Sequence, residues 1–169
     1  MKKKFYAYGV LYTAGDTIGL TDKTLSDEML KKIVINSPLK VPVLSDLCKG
    51  WRNNPDVIIG NCILMYQPGT DTDDKSRLAC RVEFNEQHRR EYEEILNGRK
   101  NREKLRFGFL LTKVMEEDED GDSKIVSGII AAASLNETGL GGKVISYGWE
   151  DPSETDPVEV IKSRLEGEK

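Results

Sequence analysis

The stretch FGFLLTKVMEEDEDGDSKIVSGIIAAASL, Phe107 to Leu135, decides how this chain folds. Two apolar runs, Phe107 to Met115 and Lys124 to Leu135, flank the acidic stretch Glu116 to Asp122. The Asp120-Gly121 pair inside it can take the left-handed conformations that a two-residue hairpin turn requires. The pattern predicts a long β-hairpin and with it a chain dominated by strands.

Working outward, Phe5 to Tyr12 (FYAYGVLY) is a β-prone run closed by turn residues Thr13 to Asp16, and Val57 to Tyr66 is the most strand-like segment. Arg77 to Phe84 puts Leu78, Cys80, Val82 and Phe84 on one face, the mark of a half-buried strand. Val41 to Leu44 is short and carries Pro42, which favours an edge strand. Gly141 to Tyr147 gives one more strand. Helices are predicted after Thr24, read with Asp27 as a capping box, after Asn85 as far as Gly98, and after Asp156-Pro157. Strands outnumber helices without strict alternation. The expected class is α+β, a mostly antiparallel barrel-like sheet with two or three flanking helices. Its expected core is Tyr6, Tyr8, Val10, Ile58, Ile63, Val82, Phe107, Phe109, Ile129 and Ile130.

One domain over residues 1–149 fits a chain of 169 residues, followed by an acidic tail over 150–169 with a short helix. That tail carries the whole formal excess of −4; the remainder is balanced. Such a balance is not the electrostatic footprint of a nucleic-acid binder. No apolar run is long enough for a membrane helix, and the lysine-rich start leads into no signal-peptide core.

The chemistry-bearing motifs fail on their spacing. Cys48, Cys62 and Cys80 form no metal-binding pair, and a reducing compartment with three ordinary thiols is the reading. Asp118-x-Asp120-x-Asp122 begins like a calcium loop, but Ser123 and Ile129 stand where the turn glycine and the closing glutamate belong. Gly139 to Lys143 looks like a phosphate loop, but Glu137 and Val144 replace its first glycine and its magnesium-binding hydroxyl, leaving a flexible turn. No cofactor is expected. His88, the one imidazole, falls on the apolar side of a helix beside Tyr92, where a satisfied, partly buried histidine is expected.

Five segments together resemble the capsid maturation serine proteases, the fold shared by herpesvirus assemblin and tailed-phage prohead protease. Tyr6 to Leu11 with Gly15-Asp16 and Leu20 is similar to the opening strand and turn, and Pro38 to Val43 to the approach to the catalytic histidine. Ile58-Ile59-Gly60 resembles the strand that follows. Phe107 to Lys113 is similar to the serine-bearing strand, and Ile125 to Leu135 to the strand near the third catalytic residue. The resemblance implies a barrel flanked by helices. Yet Ser45-Asp46-Leu47 stands at the histidine position, Gly108-Phe109 at the serine position, and Ser127-Gly128-Ile129 supplies no second histidine. Phenylalanine cannot form an acyl-enzyme, and aspartate is a poor base for serine at neutral pH.

The expectation is therefore a virion protein without catalytic residues on a protease-like scaffold, an auxiliary or decoration component of a phage capsid located in the virion or the host cytoplasm. Two alternatives stand beside it: an active prohead protease with a displaced site using Ser134 or Ser127 with His88, and a small cytoplasmic binding or regulatory module. The partner expected is a capsid protein or a second copy, rather than nucleic acid or membrane. Interaction residues are sought in the basic run Arg99, Lys100, Arg102, Lys104 and Arg106, read as a loop, and in Trp51 and Trp149 as aromatic anchors. The acidic blocks Asp71 to Asp74, Glu116 to Asp122 and Glu150 to Asp156 are the opposite charge.

Overall fold

A computed structural model describes residues 3–18, 21, 23–47, 50–70, 75–152 and 156–166. Seven strands form one sheet: β1 (Lys4–Thr13), β2 (Lys40–Leu44), β3 (Ile58–Gln67), β4 (Arg77–Phe84), β5 (Arg106–Glu119), β6 (Asp122–Asn136) and β7 (Val144–Glu150), in the order β5-β6-β2-β3-β4-β1-β7. Among the described residues four helices accompany it: α1 (Asp27–Asn36), α2 (Glu86–Asn97), α3 (Arg99–Arg102) and α4 (Pro157–Glu166). The class is α+β, as expected, but the sheet is mixed, because β2 and β6 run parallel.

Nor is the sheet closed by strand pairing. Instead the glycine segment before β7 ties β5 to β1: Phe107 N–H donates to Gly142 O at 2.9 Å, Gly141 N–H to Phe107 O at 2.7 Å, and Gly142 N–H to Val10 O at 2.8 Å. This segment is a bridge between β1 and β5, where the sequence pointed to a flexible turn. A side chain has no room there. A Cβ at Gly141 would stand 2.5 Å from Leu11 O and 2.6 Å from Phe107 O, and one at Gly139 2.5 Å from Arg106 O.

The hairpin is longer than its apolar runs. Its acids are strand residues, and Asp120 (φ 53°) and Gly121 (φ 85°) make the two-residue turn. β2 is an interior strand despite Pro42. Its parallel ladder to β6 begins at Val43, past the proline. Between β2 and β3 lie two single-turn 3-10 helices, Trp51–Asn53 and Pro55–Val57. The cap of α1 is Ser26 rather than Thr24: Ser26 Oγ accepts from Met29 N–H at 3.2 Å, while Thr24 forms a bridge with Thr17.

Both faces of the central strands are covered, so β1 is buried almost throughout. Phe5, Ala7 and Leu11 join the main core under α1 and α2. Tyr6, Tyr8 and Val10 form a second core with Met65, Ala79 and the α4 residues Ile161 and Leu165. The helix within the acidic C-terminal segment thus packs on the sheet. Glu150 accepts from Tyr8 OH and from the Arg164 guanidinium, fastening the approach to α4. Burial pushes the Tyr92 phenol, stacked on Phe84, up to about 12. Of the expected core, Ile58, Ile63, Phe109 and Ile129 are only half-buried. Among the described residues no helix is long and apolar enough to cross a membrane.

Candidate binding cleft

A cleft of about 400 Å³ opens where the glycine bridge meets the sheet. The end of β1 contributes Leu11 and Tyr12, the β2–β3 connection Asp46 and Leu47, and the start of β5 Gly108 and Phe109. Ser134 and Asn136 close it from β6, with Leu140 on the bridge side. The lining is mostly apolar, and Leu47 and Leu140 stand at the surface, 36% and 60% exposed. Apolar walls with a few fixed polar groups are the usual make-up of a ligand-binding cleft.

Those polar groups are tied down. Asn136 donates from Nδ2 to Ser45 O at 3.0 Å, and its Oδ1 accepts from Thr138 N–H at 2.9 Å and Thr138 Oγ1 at 3.0 Å. One side chain therefore holds the β2–β3 connection and the start of the glycine bridge together. Tyr12 OH donates to Asp16 O and accepts from Leu25 N–H, and burial raises its phenol above the ordinary value. Phe109 meets the Tyr12 ring edge-on at 5.6 Å. Gly108 and Ser134 are partners across β5 and β6, and a Cβ at 108 would stand 2.6 Å from Ser134 Oγ. The serine hydroxyl fills the notch that the glycine leaves.

Two of the three positions singled out by the protease resemblance, Asp46 and Gly108-Phe109, line this cleft. The third, Ser127-Gly128-Ile129, lies farther along β6, with Ser127 about 23 Å of strand from Ser134. His88 sits on α2 and is not part of the lining. Its Nδ1 is 3.9 Å from the Glu91 carboxylate, and its buried Nε2 has no hydrogen-bond partner among the described residues, so the imidazole is not the satisfied one expected.

The basic run is dispersed by its folding. Residues 99–102 form α3 instead of a loop. Arg99, Lys100 and Lys104 are exposed. Arg102 is half-buried, donating to Leu96 O at 3.1 Å and Tyr147 OH at 2.8 Å, with its guanidinium 5.4 Å from the Tyr147 ring. Arg106 donates to the carbonyls of Glu103 and Leu105. Lys143 holds the Glu103 carboxyl below its ordinary value, at 2.9 Å. Trp51 is buried with Leu44 and Ala132 under Arg52. Trp149 is 44% exposed, donating to Glu93 at 2.9 Å with Arg89 4.9 Å from its ring. Asp71 to Asp74 and Cys48 lie outside the described residues; Cys62 and Cys80 are buried free thiols. No group of acids, cysteines and histidine among the described residues is placed to hold a metal.

Sequence reasoning missed Ser134 as the neighbour of Gly108, and Leu140 as an exposed wall. The available signal was glycine: Gly108, Gly139 and Gly141 all border the cleft. Comparison with family models, curated proteins and solved structures finds no match.

Proposed function

We propose that this protein is a non-catalytic virion component, an auxiliary or decoration protein of a phage capsid on a protease-like scaffold, and that the cleft receives an apolar segment of a capsid protein. The observation that carries the reading is the meeting of Asp46 with Gly108 and Phe109 in one cleft. These are the positions at which the resemblance places a catalytic histidine and serine. With glycine, phenylalanine and aspartate there, and Ser134 Oγ filling the glycine notch, the groove keeps apolar walls for binding and has no imidazole to activate a hydroxyl. Leu47 and Leu140 on its rim are suited to a partner's apolar side chains.

The test has two arms. Incubation with a fluorophosphonate probe and with capsid scaffold protein is expected to leave the chain unlabelled and the scaffold intact, while the chain co-purifies with capsids and Leu140→Asp releases it. Covalent labelling that disappears in Ser134→Ala would overturn the reading in favour of a displaced protease site. Capsids that never retain the chain would overturn the virion assignment.

A further inference from the structure

Strand β5 is an edge of the sheet, and the alternation of its hydrogen bonds decides which of its backbone groups are open. In an antiparallel ladder a residue turns its N–H and C=O toward the same side, and the side alternates from one residue to the next. Phe107 gives both groups to the glycine bridge, away from β6. Phe109 and Leu111, two and four residues on, turn theirs the same way. The extra residue at the register shift between Leu110 and Leu111 is Ala131 on β6, so the alternation along β5 is unbroken. The β6 side agrees: Ile130, opposite Leu111, sends its N–H away from β5 to Ser37 Oγ at 2.9 Å. Outside the ladder, no hydrogen bond among the described residues takes the N–H or C=O of Phe109 or Leu111.

This open stretch is short and stands beside the cleft. The glycine bridge takes the edge at Phe107, and beyond Leu111 the positive φ of Lys113 (52°) and the register shift between Thr112 and Met115 break the strand's regularity. Such an irregularity blunts an edge against pairing with another chain. What remains is the edge from Phe109 to Leu111, about 7 Å long at the usual rise per residue. Phe109 also lines the cleft, together with the apolar walls of Leu11, Leu47 and Leu140. The cleft holds one carboxylate, that of Asp46, which is exposed and has no ion pair among the described residues.

We propose that the guest of the cleft binds as an added strand. An extended segment of the capsid protein lies along β5, hydrogen-bonded to the backbone of Phe109 and Leu111, with an apolar side chain in the cleft and a lysine or arginine against Asp46. Strand addition draws affinity from main-chain hydrogen bonds and specificity from pockets for side chains, and here the open edge and the cleft adjoin. The carboxylate selects the charge of the segment: an acidic one is repelled, and a basic one gains a partner. This mode of binding rests on the reading of the cleft as the site of a capsid-protein segment.

Amide hydrogen exchange on the full chain tests it, with a capped heptapeptide that alternates valine with threonine and carries one lysine as the probe. Saturating peptide is expected to slow exchange at Phe109 and Leu111 by about tenfold or more, with little change at Gly108 and Leu110, whose N–H groups face β6. Methylating the peptide's backbone nitrogens is expected to weaken binding by about tenfold. Replacing its lysine by norleucine costs up to about fivefold with the parent and nothing with Asp46→Asn. Leu111→Pro removes an outward N–H and leaves the β6 ladder intact, so it weakens binding while circular dichroism stays native. If that variant does not fold, the methylated peptide decides the same point on the parent. A peptide that does not bind, that binds with exchange at Phe109 and Leu111 unchanged, or that binds equally well when methylated would each overturn the proposal. So would a dimer in which the same two amides are protected without peptide, since a second copy would then be the occupant. Capsids that retain the chain while these amides stay open would sink strand addition alone. Protection by the peptide with no retention on capsids would sink the capsid reading alone.

Discussion

The two ends of the β5–β6 hairpin share one ladder and differ in what surrounds them. At the base, Phe107 and Leu135 are fully buried, and the glycine bridge lies against the outer edge of β5. At the tip, residues 120–122 are exposed, and the first buried side chain is Ile125. There β6 has only β5 as a ladder partner among the described residues, since its pairing with β2 is confined to Ala133 and Ser134. Secondary structure alone therefore does not say which residues carry the fold. Stability should be concentrated at the base, where each atom has a neighbour, and chemistry at the surface should be free to vary at the tip.

Gly141→Val puts that contrast at greatest risk. A side chain at 141 meets two backbone carbonyls that cannot swing aside, and the bridge between β1 and β5 must part to admit it. The expected loss is about 3 kcal/mol, read by denaturant unfolding. A variant as stable as the parent would mean that the bridge carries none of the fold.

Phe109→Ser comes next. The ring is half-buried and rests on Tyr12, so the expected loss is about 2 kcal/mol, below the range for a fully buried phenylalanine. The substitution also places a hydroxyl in the cleft without supplying a base. A stable variant that gained fluorophosphonate reactivity would break the proposal that the cleft only binds.

At the tip, Gly121→Ala is expected to cost about 1 kcal/mol, because φ of 85° is open to glycine and strained for alanine, although nothing stands near the added methyl. Equal losses at 141 and 121 would erase the distinction between the two ends. A small, purely conformational loss at 121 sharpens it.

How much of this could be read from sequence follows the same division. The hairpin and its turn were legible because both are local: two apolar runs and the Asp-Gly pair between them need no knowledge of the rest of the chain. Helix α2 with its Gly98 stop was legible for the same reason. The bridge was not. Gly139 and Gly141 need to be glycine because Arg106 O, Phe107 O and Leu11 O approach them, and that proximity comes from tertiary structure. The burial of Ala79 under α4 was hidden likewise, since strand alternation predicts one covered face and a docked helix supplies the second. In the cleft, Asp46 and Gly108-Phe109 could be flagged one by one, whereas Ser134 entered only through strand register. Trp51 and Trp149, alike among turn residues in sequence, separate into one buried and one exposed ring once the 3-10 turns and β7 are placed.

The smallest effect is expected from Asp120→Asn. Asp120 occupies the left-handed region with φ of 53°, where asparagine is at least as comfortable as aspartate, and Asn-Gly is the strongest sequence for this turn. Its side chain is exposed, so no buried hydrogen bond is at stake, and a change within about 0.5 kcal/mol, neutral to stabilising, is expected from thermal unfolding. The same substitution removes a charge from the acidic tip. If the clustered acids repel one another, the gain should be larger at low salt and fade at high salt. If each is screened by water, the melting curve should barely move at either. Melting the variant at both salt concentrations separates the two cases, because the residue is conformationally interchangeable and electrostatically is not.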